Sequence, residues 1–382
     1  MAKEKPAEAE EARSVVEWEE RGSFPVHMVD GIFTETDTAT AAALREATGS
    51  DSPRILLVAD ANVVQRTEGL GSRIGRYLQA NELALASPPI VLAGGEKIKT
   101  DNLQSVFKVM TEALDARIGA TDVVMALGGG TVLDVAGYAA AQVRGGLRLV
   151  RVPTTVAAMA DAAFAQSACV DSANVKDALR IASRPAAVLI DTAFASTVLD
   201  GVWRGGLGEI VRHAAVRDAG LMERLAANME AINARDAGAM AEVVRAAVAS
   251  RLRNGGSGFA LWSAARLEAM SGYKLPHGYA VAIGICIDCA YAVEKGYMDG
   301  VAQERVCRLL AECGALDCLA HSHHLLAQTD SVLKGLDAWR LATGSEAREL
   351  PAGVGKGLLE AAPDRDAYRK VVKEFLSASS ER

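Results

Sequence analysis

Four short stretches of this chain place ligand-capable side chains at the end of an apolar run. Asp60 and Asn62 close RILLVAD (54–60) and open the next segment. Glu96 and Lys99 follow PIVLAG (89–94). Three glycines, 128–130, follow DVVMAL. Thr154 and Thr155 follow RLVRVP (148–153). Glycines between a strand and a helix let the backbone approach a pyrophosphate, and the helix N-terminus offers unpaired N–H donors to it. The spacing is not GxGxxG, and by itself a glycine triplet is equally a tight strand–helix turn. Capping explains each polar group singly, but their coincidence at successive run ends favours a nucleotide. Elsewhere, Cys286 and Cys289 form a C-x-x-C. It lies in the apolar run AIGICIDCAYA with no second pair at zinc-finger spacing, so it reads as two buried, inert thiols. His321, His323 and His324 read as a polar patch near a helix, and His27 stands alone.

These groups need elements that bring them to one edge. The apolar runs at 54–60, 89–94, 122–130 and 148–155 alternate with amphipathic stretches, including a helical pattern across GEKIKTDNLQSVFKVMTEAL. Near-continuous apolar runs are typical of buried parallel strands. The βαβα order predicts an open parallel sheet with helices on both faces, whose ligands bind at the carboxyl ends of the strands. After AAVLIDTAF (186–194) strand patterns become rare and helical periodicity dominates. The predicted organisation is a tail over 1–22, an α/β Rossmann-like domain over 23–185 and a helical metal/substrate domain over 186–382.

The chain has 382 residues, of which half are hydrophobic and 5% aromatic, and a net charge of −7. That suits a core of aliphatic side chains in a two-domain protein. The absence of a concentrated basic surface argues against nucleic acid. No stretch reaches the roughly 20 apolar residues of a membrane span, and Met1–Glu20 has no signal-like apolar segment. These features lead to the expectation of a cytoplasmic protein with a small-molecule substrate.

DANV (60–63), GGEKIKT (94–100), ALGGGTVLDVAGYAAAQVRGG (126–146), RVPTTVAAMAD (151–161) and HGYAVAIG (277–284) together resemble 3-dehydroquinate synthase and its relatives, the sugar phosphate cyclases. The likeness runs from about Pro25 to Gly300. WSAARLE (262–268) echoes a W-S-A-H-K-L-E-like segment of a bacterial branch of that family. The resemblance implies NAD held by Asp60, Asn62, Glu96, Lys99, Gly129, Gly130, Thr131, Asp134, Thr154, Thr155 and Thr197, with Asp161 also at a cofactor-contacting position. It implies a homodimer and a phosphorylated sugar or polyol as substrate. In that chemistry NAD oxidises a hydroxyl transiently, phosphate leaves, the ketone is reduced again and the ring closes. A divalent metal, usually zinc, polarises the oxygen being oxidised.

The metal-binding half of the pattern is incomplete. Glu209 and His277 match two of the family's three ligands, but Leu261 stands on the first histidine and Ala265 on the histidine nearby. Leucine cannot ligate, so the usual three-ligand catalytic site does not form as such. Arg212 replaces the lysine of E-x-x-K, and the two are not equivalent donors. Ser167 replaces a substrate-binding lysine, Lys176-Asp177 replaces Lys-Asn, and Arg245 stands where a lysine is usual. The segment RNGGSGF (253–259) lacks the family's substrate-anchoring arginine. Asp161, Lys176 and Arg212 are expected to face the substrate. His213, four residues after Glu209, shares its helical face and is an alternative third ligand with Glu209 and His277; the plainer expectation is a partly exposed helix residue. Three functions stay open: a cyclase-like enzyme with altered chemistry, a non-catalytic NAD-binding partner protein, and an NAD-dependent polyol or alcohol dehydrogenase, since metal-dependent alcohol dehydrogenases share the general fold.

Overall fold

The computed structural model describes residues 22–173 and 175–380. The tail expected over 1–22 lies, apart from Gly22, outside them. The first half is built on nine strands: β1 (Val26–Met28), β2 (Arg54–Asp60), β3 (Ala84–Leu85), β4 (Ile90–Leu92), β5 (Val123–Gly128), β6 (Arg148–Pro153), β7 (Ser167–Ser172), β8 (Val175–Ala182) and β9 (Ala187–Ile190). Seven of them form one sheet in the order β1-β9-β6-β5-β2-β3, with β4 also paired to β2. Every pairing in that sheet is parallel. β5 is buried along its whole length and β2 along all but its first residue. Burial on both faces is why these strands read as continuous apolar runs rather than alternating ones.

Parallel pairing sends every strand the same way. Asp60, the glycine turn after β5 and Thr154 after β6 therefore reach one edge. Asp60 caps the short helix Ala61–Arg66, its Oδ1 accepting from Asn62 N at 2.8 Å. Gly94, with φ of +72°, passes so close that a Cβ there would lie 2.6 Å from Asp60 Oδ2. Helix Gly130–Gln142 starts directly after β5. The helical pattern expected from Gly95 onward resolves into a single 3-10 turn, Glu96–Ile98, and a helix confined to Gln104–Asp115. The left-handed residues Asn102 and Leu103 separate the two.

Two features depart from the expected organisation. The sheet runs past residue 185, because β9 pairs with both β1 and β6. An antiparallel hairpin, β7–β8, stands outside the main sheet. It is pinned at its base by buried Arg151, which donates to the carbonyls of Ala165 at 2.5 Å and Ser183 at 3.1 Å. Beyond Ile190 the chain is helical except for the hairpin β10 (Arg348–Pro351) with β11 (Gly357–Glu360). The helices Asp200–Arg217 and His277–Glu294 form the buried centre of that half. Glycines set their approach: a Cβ at Gly278 would lie 2.0 Å from the Gly205 carbonyl oxygen. Cys286 and Cys289 are buried on the second of these helices, as expected. No helix among the described residues is long and apolar enough to cross a membrane.

Candidate active site

The carboxyl edge of the sheet and the helical half enclose one cleft of about 520 Å³. Asp60, Asn62, Glu96, Lys99, Gly129, Gly130, Thr131, Asp134, Thr154, Thr155 and Thr197 all line it, and so do Asp161, Lys176, Glu209 and His277. Arg212 sits directly behind, its side chain 1% exposed. Ser167 and Arg245 are elsewhere: Ser167 accepts from Arg180, and Arg245 pairs with Asp30 at the surface.

The dinucleotide end fits NAD. The glycine turn opens a helix N-terminus onto the cleft, which suits a pyrophosphate. Thr154 lines the cleft and its buried hydroxyl has no partner, so a ligand group would satisfy it. Lys99, however, is committed. Its Nζ lies 2.9 Å from Asp134 Oδ2 and 2.5 Å from Asp177 Oδ1, with its side chain 4% exposed. Burial works against its charge, but these carboxylates override that and hold its pKa well above the ordinary value. A lysine so placed organises the pocket floor and is not available to a 2′-phosphate.

The chemistry-bearing end is a chain of ion pairs. His277, first residue of its helix, has Nε2 3.0 Å from Glu209 Oε1 and Nδ1 2.8 Å from Glu268 Oε1. Burial disfavours a charged imidazole, yet Glu268 and Glu209 together raise its pKa to about 10. Glu268 Oε2 accepts from Lys176 at 2.9 Å, and Lys176 also reaches Glu96. Glu209 Oε2 accepts from Arg212 Nε at 2.7 Å, and Arg212 extends to Asp161 Oδ2 at 2.9 Å and to the Ser257 carbonyl. Burial would push Glu209 up, but Arg212 and His277 hold it far down, at about 2. Arg251 adds a second guanidinium to Asp161 at 3.2 Å.

Three of these participants were not singled out by motif reasoning. Glu268 closes WSAARLE, whose conspicuous departure from the family pattern is the histidine missing at Ala265. Arg251 lies just before the segment that lacks the anchoring arginine. Asp177 entered only as the replacement for an asparagine, yet it holds Lys99. The signal for Glu268 was its spacing: it lies seven residues after Leu261, on the same face of helix Leu261–Met270.

The residues present do not fit the family's three-ligand metal site. Leu261 occupies one ligand position and does not line the cleft. Glu268 meets His277 on the nitrogen facing away from Glu209, so it cannot share a metal with that pair. The Arg212 guanidinium beside Glu209 places a fixed positive charge where a cation would bind. His213 gives no substitute. It is buried rather than partly exposed, and its Nε2 pairs with Ser250 at 3.0 Å, which in turn donates to Asp218. Among the described residues no group of three or more His, Cys, Asp or Glu side chains is placed to hold a metal ion. The side chains of His321 and His323 lie outside the described ones, and His324 is exposed.

Fold and cleft together define a two-domain protein with a dinucleotide-binding type of parallel sheet and a helical half that completes the site. Comparison with known proteins makes this specific. Residues 89–204 match the model of the 3-dehydroquinate synthase N-terminal domain, and residues 261–331 that of its C-terminal domain. The 3-dehydroquinate synthase of Rhodopseudomonas palustris strain BisA53 is 31% identical over 66% of this chain and 70% of its own length. That of Methylococcus capsulatus strain Bath is 30% identical over 71% of this chain and 80% of its own. The chain belongs to the 3-dehydroquinate synthase family. It spans 64% of the R. palustris strain BisB18 relative, at 32% identity over 61% of its own residues. Among solved structures, the 2-epi-5-epi-valiolone synthase of Streptomyces hygroscopicus subsp. jinggangensis 5008, with NAD+ and Zn2+ bound, superposes with a TM-score of 0.81 at 22% identity, over 96% of this chain and all of that one. A 2-deoxy-scyllo-inosose synthase superposes at 0.72 with 18% identity, over 92% and 96% of the two chains. A probable glycerol dehydrogenase from Sinorhizobium meliloti 1021 shares the fold at 0.66 and 18% identity, over 94% and 98%.

Proposed function

We propose that this chain binds NAD in the cleft and oxidises a hydroxyl of a sugar- or polyol-class small molecule, the first step of sugar phosphate cyclase chemistry, with the family's metal replaced by organic cations. The observation that carries the reading is that the dinucleotide cradle and the Glu209–His277–Glu268 chain open onto the same cleft. The neighbour structures that hold NAD+ have this fold. NAD, when bound, supplies the hydride acceptor that turns a hydroxyl into a carbonyl. The protein's own part is electrostatic and acid–base. Arg212, Lys176 and His277 place positive charge beside the cleft, which stabilises oxygen anion character at the reacting carbon. Hydride loss to NAD leaves the hydroxyl proton to a base. His277, 42% exposed, already carries a proton on each ring nitrogen and can act only as a donor, so the proton passes to the carboxylate of Asp161, which lines the same cleft. Asp161, a third exposed and held by two arginines, is oriented to accept a hydroxyl hydrogen bond. Hydride transfer uses fewer of the groups this chain lacks than elimination and ring closure do, which favours a dehydrogenase-like outcome over the full cyclase sequence.

The test is NAD titration of the purified protein, followed by a search for NADH absorbance with a panel of sugars and polyols, free and phosphorylated. Stoichiometric NAD binding with substrate-dependent NADH, lost in His277→Gln, is expected. The second reading, a non-catalytic NAD-binding partner protein, is favoured by the saturation of every site cation with a carboxylate. Tight NAD binding with no NADH under any substrate would establish it.

A further inference from the structure

We infer that the substrate end of this cleft is built for an uncharged, polyhydroxylated molecule and not for a phosphate ester. The inference rests on the reading of the cleft as an NAD-dependent site. Every cation at this end is taken. Lys99 is held by Asp134 and Asp177, Lys176 by Glu96 and Glu268, and Arg212 by Glu209 and Asp161. Their side chains are 4%, 9% and 1% exposed, so none can swing out to meet a ligand. Arg251 is spent on Asp161 and stacks over Phe164. His277 is held between Glu209 and Glu268, and the other lining cation, Arg66, ends the short helix after Asp60, on the dinucleotide side, and is exposed.

A phosphate monoester brings a charge of about −1.5 to −2 at neutral pH and three acceptor oxygens. It is bound by free guanidinium, ammonium or backbone N–H donors. Here it would meet six carboxylates already fixed among the cations. Asp177 shows that this is built in. It adopts a left-handed φ of +53°, which aspartate accepts more readily than most non-glycine residues, and its backbone N–H is tied to Asp171 Oδ1 at 2.8 Å. That conformation places a carboxylate on Lys99, at a position where the family resemblance has asparagine.

An alternating array of fixed acceptors and donors suits hydroxyl groups instead. Each hydroxyl donates one hydrogen bond and accepts up to two. It can therefore bridge a carboxylate and an adjacent ammonium without altering the charge balance, and the neutral Tyr273 side chain lines the same cleft. A substrate without a phosphate ester also offers no phosphate leaving group, so the elimination step of the family's chemistry has nothing to act on.

The experiment uses the full chain saturated with NAD, so that the pyrophosphate position is filled, and measures binding by calorimetry. Ligands are inorganic phosphate, three matched pairs (myo-inositol, sorbitol and glucose, each with its monophosphate) and glucosamine. The expected result is that wild type binds at least one free polyol about tenfold or more tightly than its monophosphate, a difference of ~1.4 kcal/mol, and shows no saturable phosphate binding. The double variant Glu96→Gln/Asp177→Asn should gain saturable phosphate binding, because it removes two fixed carboxylates and leaves Lys176 with Glu268 alone and Lys99 with Asp134 as its close partner. Glu96→Gln alone, checked for an unchanged circular dichroism spectrum, should move the same way by a smaller factor. Tighter binding of monophosphates or of inorganic phosphate by wild type, binding of glucosamine alone, or no binding of any ligand would each overturn the inference. Failure of the proposed function is read separately: it shows as absent NAD binding in the preceding titration, or as polyol binding without NADH.

Discussion

His277 Nδ1 lies 2.8 Å from Glu268 Oε1, joining the first residue of helix His277–Glu294 to a buried carboxylate on helix Leu261–Met270. The second oxygen of that glutamate holds Lys176, so one side chain ties both helices to the β7–β8 hairpin. Glu268 is 2% exposed. Burial alone would raise its pKa, but His277 and Lys176 bring it below the ordinary value.

Glu268→Ala should therefore cost about 3–5 kcal/mol, the usual penalty for stranding buried charged partners. Glu268→Gln, which keeps shape and hydrogen bonding, should cost less. Urea unfolding midpoints of the two variants check this; equal and small losses would mean the pairs do not hold the domains together.

The glycine contact between the central helices gives a packing prediction. Gly278→Ala puts a Cβ 2.0 Å from a backbone carbonyl that cannot move aside, and should destabilise by about 3 kcal/mol or more, at or above the upper end of ordinary overpacking. Gly75→Ala, in helix Leu70–Ala80 with open space around it, should be neutral or stabilising by up to ~1 kcal/mol. Thermal melts of the pair measure the contrast.

His213 predicts a pH dependence. Burial, together with Arg212 and Arg251, lowers its pKa from 6.5 to about 4. The folded state therefore keeps the ring neutral where the unfolded chain already binds a proton. Its contribution is loss of stability as pH falls from about 6.5 to about 4, with no further loss below. His213→Gln should flatten that part of the stability–pH curve relative to wild type. An unchanged slope in denaturant midpoints across this window would contradict the buried, neutral histidine.

Cofactor choice follows from Asp60 and Lys99. A carboxylate at the end of β2 favours a ribose 2′-hydroxyl over a 2′-phosphate, and Lys99 is locked between Asp134 and Asp177. NAD should bind more tightly than NADP, and Asp60→Ala should narrow the difference by about tenfold, ~1.4 kcal/mol. Calorimetric titration with both dinucleotides measures it.

The parallel sheet was legible because its strands are buried on both faces, and RILLVAD marks β2 to the residue. The convergence of Asp60, the glycine turn and Thr154 on one cleft was legible because parallel strands deliver their ends to one edge. The β7–β8 hairpin was not: β8 is partly exposed and reads VKDALRIA, with no continuous apolar run, and the hairpin's anchor is the buried Arg151, 14 and 32 residues from the carbonyls it holds. Glu268 escaped for a related reason, since its importance lies in partners nine and ninety-two residues away rather than in a local motif. His213 was placed at the right helical spacing from Glu209, but the helix buries it against Ser250 instead of facing the cleft.

The metal-free reading of the site turns on whether hydroxyl oxidation here needs a metal. The decisive measurement is NADH formation by NAD-loaded protein with its best polyol, after exhaustive chelation and again after zinc or cobalt is added back. The same rate is expected in both, lost in His277→Gln. A chelated enzyme that forms no NADH and recovers on metal addition would contradict it, and would place a metal on Glu209 and His277 despite Leu261.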